Sequence, residues 1–115
     1  MQRAIATAVT VFALAACGSG RDVRFVVEVS GEARATDLEL RVGADTRIYD
    51  ERAHGAEIVE RDLPDGTRVS LRGRNGGDTG DVILRAFVDD CEADSQSCTG
   101  EGCVAFVELT VRESC

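Results

Sequence analysis

The stretch Asp81-Val82-Ile83-Leu84-Arg85-Ala86-Phe87-Val88-Asp89 is the most apolar strand-like segment of the chain. Successive side chains of a β-strand point to opposite faces, so residues of one parity share a face. One parity of this stretch is wholly apolar, whereas the other contains a charged residue. We therefore predict a strand whose buried face carries Val82, Leu84, Ala86 and Val88.

The same period of two recurs on both sides of this stretch, between segments with turn composition such as Leu63-Pro64-Asp65-Gly66 and Asn75-Gly76-Gly77-Asp78. No segment after residue 22 shows a sustained helical period. Short strands with turns every ~8–12 residues are typical of a β-sandwich. The pattern predicts one all-β domain over residues 22–115, with seven strands at 22–30, 38–42, 46–52, 57–63, 67–74, 81–89 and 104–112.

The N-terminus has the composition of an export signal. Arg3 precedes an apolar run over residues 4–16, which is too short to span a bilayer comfortably. The run ends in Leu14-Ala15-Ala16-Cys17, which resembles the lipobox of bacterial lipoproteins. That resemblance implies a signal peptide over residues 1–16, cleavage before an acylated Cys17, and a short tether over residues 17–21. The alternative is an ordinary secretory signal with a chance cysteine.

These features predict a bacterial cell-envelope protein that binds the membrane through acyl chains on Cys17. Gly18 replaces the Asp that commonly retains lipoproteins at the inner membrane, which favours the outer membrane in a cell with two. The chain carries a net charge of −8 and has no Lys. Such an acidic surface argues against binding to nucleic acid or to anionic lipid.

Four cysteines follow Cys17, and export favours their oxidation to disulfides over a zinc site. We predict a bond inside a cysteine-rich loop over residues 91–103, either Cys91–Cys103 or Cys91–Cys98. Cys115 lies too far along an extended strand from Cys103 to bond it. Three options stay open for Cys115: the tail folds back, the last strand ends early, or Cys115 bonds another chain.

Catalysis and metal binding have weak support in the sequence. His54 is the single histidine, and its surroundings predict an exposed loop position without a nucleophile nearby. Four carboxylates at one end of the cysteine loop could offer oxygen ligands to Ca²⁺, but they lack EF-hand spacing; they are Asp89, Asp90, Glu92 and Asp94. We therefore expect no enzyme activity, no cofactor and no bound metal.

Two aromatic residues share strand faces with polar neighbours. Phe87 lies on the same face of its strand as Ile83, and Phe106 lies on the polar face of the last strand together with Val104. One interpretation buries these residues in an imperfectly alternating core. The sharper hypothesis is an apolar stripe on an outward face that docks a protein partner.

Several strands resemble those of the MmpS family of transport accessory proteins. The similar segments are Val27-Glu28-Val29-Ser30-Gly31-Glu32-Ala33, Val69-Ser70-Leu71 with Asn75, residues 80–89 and Val104-Ala105. The resemblance implies an immunoglobulin-like β-sandwich outside the membrane that assists a lipid or siderophore exporter. The chain differs from the family in having a lipobox instead of a transmembrane helix, and in having no Trp.

Two functional hypotheses follow. The first is a non-enzymatic, lipid-anchored envelope module for protein interaction, with an exporter as a candidate partner. The alternative is an envelope lipoprotein that binds a small ligand or calcium through the acidic, cysteine-rich segment 89–103.

Overall fold

The structure is a computed structural model that describes residues 20–112. The predicted signal peptide, Cys17 and Cys115 lie outside these residues. The regular elements of the described range are eight strands: β1 (Gly20–Val29), β2 (Ala35–Val42), β3 (Asp45–Arg52), β4 (Ala56–Pro64), β5 (Arg68–Asn75), β6 (Asp81–Val88), β7 (Cys91–Thr99) and β8 (Val104–Thr110). A search of the same residues for helices long and apolar enough to cross a membrane finds none.

The strands form two four-stranded antiparallel sheets. Sheet I has the order β4-β1-β6-β7, and sheet II has the order β3-β2-β5-β8. Their inward-facing side chains share one apolar core. The expectation of an all-β fold built as a sandwich is therefore confirmed.

The core comes from strict alternation along the central strands. In β6 the buried positions are Val82, Leu84, Ala86 and Val88, as the sequence pattern predicts. In β1 the fully buried positions are Val23, Phe25 and Val27. Burying such side chains contributes about 1.5–3 kcal/mol each relative to full exposure. The apolar alternation therefore fixes which face of each central strand turns inward.

The prediction of seven strands was wrong, because most of the expected loop 91–103 is strand β7. This strand pairs with β6 from Asp81 opposite Thr99 to Val88 opposite Cys91. It lies at the edge of sheet I and is mostly polar and exposed. A polar edge strand protects a sheet from pairing with other chains, but it lacks the apolar alternation that reveals a strand in sequence.

The cysteines confirm a bond within the segment 91–103 and correct its partners. Cys98 in β7 is bonded to Cys103, with the Cα atoms 5.7 Å apart. The predicted pairing of Cys91 with either of them is therefore wrong, and Cys91 is itself disulfide-bonded. β8 ends at Thr110, two residues earlier than expected, which matches the option of an early strand end.

The two ends of the sandwich carry different loops. Gly20 pairs with Pro64 at one end, which we call the tether end because the N-terminal segment enters there. The Asp89–Asp90 turn between β6 and β7 lies at the same end, where Asp89 N–H donates to the Asp22 carbonyl at 2.9 Å. The opposite end, called the far end, holds the loops 30–34, 53–55, 76–80 and 100–103.

Side chains bridge both open sides of the sandwich. On one side, Arg47 of β3 donates two hydrogen bonds to the Glu60 carboxylate of β4. These bonds raise the pKa of Arg47 above its ordinary value. On the other side, the Asp94 carboxylate of β7 accepts the Glu108 N–H of β8 at 3.1 Å. Both bridges join an edge strand of sheet I to an edge strand of sheet II.

Candidate interaction surface

The outer face of sheet II concentrates exposed apolar side chains. Of the four large apolar residues exposed among residues 20–112, three lie on this face: Ile48, Val104 and Phe106. Ile48 is 65% exposed and Phe106 is 47% exposed. Single exposed apolar residues are ordinary, but several on one sheet face are typical of a contact surface.

Strand register places four of these outward side chains in one row across the sheet. Ile48 of β3 lies opposite Glu39 of β2, and Glu39 lies opposite Arg72 of β5. Arg72 in turn lies opposite Phe106 of β8. The row therefore reads apolar, acidic, basic, apolar from one edge of sheet II to the other.

Ion pairs connect the polar positions of this face. A guanidinium nitrogen of Arg41 lies 3.1 Å from a Glu39 carboxylate oxygen, and one of Arg72 lies 3.8 Å from the other oxygen. Arg68 and Glu108 form a looser pair at 4.0 Å. Exposed pairs of this kind contribute about 0–1 kcal/mol each, so their main effect is to orient the side chains.

The face is balanced in charge although the whole chain is acidic. Its arginines are Arg41, Arg68, Arg72 and Arg74. Its acidic residues are Asp37, which pairs with Arg74, together with Glu39, Glu51 and Glu108, which the strand register places on this face. With a chain net charge of −8, the excess negative charge must lie elsewhere. This face is consequently less repulsive to an acidic partner than the rest of the surface.

A shallow groove of about 310 Å³ runs beside Phe106 on this face. Its walls are both charged and apolar, and the lining residues are Glu39, Arg41, Ser70, Arg72, Phe106 and Glu108. Arginine and aromatic side chains are enriched at the centres of protein interfaces. The groove therefore offers a place where a side chain of a partner can insert next to Phe106.

The other residues of the expected stripe lie on the outer face of sheet I. Ile83 and Phe87 are half-buried there, on the opposite side of the sandwich from Phe106. The Arg24 guanidinium lies 4.3 Å from the centroid of the Phe87 ring, a cation–π contact that covers it. The three predicted interaction residues thus do not form one stripe, because β6 and β8 belong to different sheets.

His54 lies exposed in the turn 53–55, as the sequence predicts. Its Nδ1 atom accepts a hydrogen bond from the backbone N–H of Val29 at 3.1 Å. The ring therefore fastens the loop after β3 to the end of β1.

The carboxylates of the calcium hypothesis are spread along a turn and a strand. Asp89 accepts the backbone N–H of Asp22 at 3.1 Å and pairs with Arg21, while Asp90 pairs with Arg24. The Asp94 carboxylate accepts the N–H groups of Ser95 and Glu108. Within residues 20–112, a search for three or more His, Cys, Asp or Glu side chains placed to hold a metal ion finds no group.

The sequence leaves Phe106 and Val104 open between an imperfectly alternating core and an outward stripe, and it does not show the row that contains Phe106. The sequence pattern places Ile48, Glu39 and Arg72 in strands but does not show that they lie in one row with Phe106. The sequence does carry one signal of this face, which is the run of arginines at positions 68, 72 and 74 of β5. Arginines on one face of a central strand mark that face as outward. The alignment of these arginines with Ile48 and Phe106 depends on how four strands pair.

No protein-family model matches the chain. No curated protein matches it either.

Proposed function

We propose that the chain is a non-enzymatic, lipid-anchored module of a bacterial cell envelope that works by contact with another protein. The lipobox-like Leu14-Ala15-Ala16-Cys17 supports the anchor. The two-sheet sandwich agrees with the immunoglobulin-like fold that the MmpS resemblance implies. His54, the residue that general acid–base chemistry would use first, is engaged in holding a loop.

One observation carries the proposal: three exposed apolar side chains lie on the outer face of sheet II, and one of them, Phe106, lines a groove. Ile48, Val104 and Phe106 supply the apolar contacts, and the Glu39–Arg72 pair between them supplies specificity. An interface needs desolvated anchor residues, ringed by polar groups that exclude the wrong partners. The face has both components, with apolar side chains on its two edge strands and the charged pair between them.

Photo-crosslinking in the native host tests this surface. A photoreactive residue replaces Phe106 on the outer face of sheet II, and the matched control replaces Val59, which is exposed on the outer face of sheet I. We expect covalent adducts from position 106 and few from position 59. Equal labelling at the two positions, or no adduct at position 106, would contradict the assignment of this face.

Two further measurements test the anchor and the exporter hypothesis separately. Mass spectrometry of the N-terminal peptide should show cleavage before Cys17 and addition of acyl chains to it. An unmodified, uncleaved N-terminus would reject the anchor. Identification of the adduct from position 106 as a membrane transport protein would support the role of exporter accessory, and its absence from all adducts would reject that role.

A further inference from the structure

We propose that the outer face of sheet II binds a second copy of this chain. The two copies are related by a two-fold axis that runs parallel to the strands and passes between β2 and β5. The inference rests on the proposed function, because it names the partner of the same surface. Its basis is the order of side chains in the row of Ile48, Glu39, Arg72 and Phe106.

Rotation about this axis reverses the row in the second copy. Ile48 of each copy then faces Phe106 of the other, and Glu39 faces Arg72. Two apolar contacts and two opposite-charge contacts form at once, as a symmetric interface requires. Opposite charges placed across an interface favour binding and fix its register.

The neighbouring row toward the tether end tolerates the same rotation. It contains Thr46, Arg41, Ser70 and Glu108, in that order across the strands. After reversal, Arg41 faces the Ser70 hydroxyl and Glu108 faces the Thr46 hydroxyl. Both contacts join a charged group to a hydrogen-bonding partner, and neither brings like charges together.

Electrostatics disfavour a two-fold axis that runs across the strands along this row. A two-fold axis running across the strands would leave the order of the row unchanged. Glu39 would then face Glu39 of the second copy, and Arg72 would face Arg72. Like charges facing each other in a closed interface destabilise it.

The selected axis also suits a chain held by its N-terminus. Rotation about an axis parallel to the strands keeps the strand direction, so Gly20 of both copies lies at the same end of the dimer. Both tethers can then enter one bilayer. An axis that runs across the strands would place the two N-termini at opposite ends.

The size of the face implies a weak dimer. Strands spaced about 4.8 Å apart and rising about 3.3 Å per residue give a face of about 20 Å by 25 Å. Two such faces cover about 1,000 Å², which is the lower bound for a specific interface. We therefore expect micromolar or weaker association in solution, and a larger dimer fraction on a membrane, where anchoring raises the effective concentration.

Charge exchange between two variants provides the test. R72E leaves two acidic side chains in the row, and E39R leaves two basic ones. Each variant alone should self-associate at least about tenfold more weakly than the wild type, a difference of about 1.4 kcal/mol. An equimolar mixture should restore association, because each acidic row then meets a basic one. R24E and E57R, which break an ion pair on the outer face of sheet I, are the matched controls and should self-associate like the wild type.

The measurement uses the full chain in mild detergent, with sedimentation velocity over a range of concentrations and native mass spectrometry of the mixture. Restored association, with mixed dimers in excess over both homodimers, supports the proposal and shows that the variants are folded. A wild type that stays monomeric both in detergent and on lipid vesicles overturns it. So does a mixture that associates no better than its components.

The outcome is distinct from that of the proposed function. A monomeric wild type whose position 106 crosslinks to a different envelope protein would overturn the dimer and leave the proposed function standing. A charge-dependent dimer of a chain that carries no acyl group would support the dimer and reject the lipid anchor.

Discussion

Asn75 is the buried polar residue that joins the loops of the far end. Its side-chain oxygen accepts the N–H groups of Arg34 and Gly77 at 3.0 and 2.9 Å. Its side-chain nitrogen donates to the carbonyls of Asp78 and Gly100 at 2.8 and 3.0 Å. The Asn75 side chain is only 1% exposed. Each hydrogen-bonding position of its amide therefore binds the backbone of a loop.

Replacement of Asn75 by alanine should destabilise the protein by about 2–4 kcal/mol, since buried backbone groups would lose their partners. Asn75→Asp should also destabilise it, because a carboxylate would face the carbonyls of Asp78 and Gly100. Gln96→Ala removes an exposed amide and should change the free energy of unfolding by less than about 0.5 kcal/mol. Urea unfolding measures all three, and a loss below about 1 kcal/mol for Asn75→Ala would contradict this role.

The sequence predicted Asn75 as part of a turn, but not as a buried hub. The turn composition of residues 75–78 was visible because Asn and Gly favour turns for local reasons. The bonds to Arg34 and Gly100 join residues 41 and 25 positions away. Such contacts depend on how the sheets stack, which the local pattern does not encode.

At the scale of elements, the sequence revealed the strands that carry apolar residues between turns and missed the polar strand β7. β1 and β6 are central in sheet I and alternate strictly, so their inward faces were predictable. β7 pairs with β6 through backbone groups, and its side chains are mostly polar, so no apolar period marked it. The same reason explains why seven strands were expected and eight are present.

The register of β6 can be tested with two adjacent substitutions. Leu84 is fully buried, whereas Ile83 is half-buried on the outer face. Leu84→Ala should lower the free energy of unfolding by about 3 kcal/mol, and Ile83→Ala by about 1 kcal/mol or less. A shift of one residue in register would exchange the two faces, so equal or reversed losses would disprove the assigned pairing.

At the scale of the whole molecule, two sheets are joined by a core and by side-chain bridges at both open sides. The Arg47–Glu60 bridge is partly shielded, with the Glu60 side chain only 13% exposed. Sequence alone could not have paired these residues, because β3 and β4 are edges of different sheets. Their contact exists only after the sheets have stacked.

Glu60→Gln should therefore weaken the closure between β3 and β4. We expect a loss of about 0.5–1 kcal/mol and faster hydrogen exchange at backbone amides of both strands. Glu57→Gln makes the same charge change on the same strand, in a more exposed pair with Arg24 on the outer face of sheet I. It should change stability by about 0.3 kcal/mol or less, and similar exchange rates in the two variants would count against the bridge.

The position of β1 has a mechanical consequence. Any pull on the N-terminus enters the described body along this strand, which lies between β4 and β6 with antiparallel ladders on both sides. Tension along the strand loads both ladders in shear, so their hydrogen bonds share the load instead of unzipping one by one. Sliding would also drag Val23, Phe25 and Val27 out of the core. A pull along β1 is therefore opposed by two hydrogen-bond ladders and by the core, which favours resistance to mechanical unfolding.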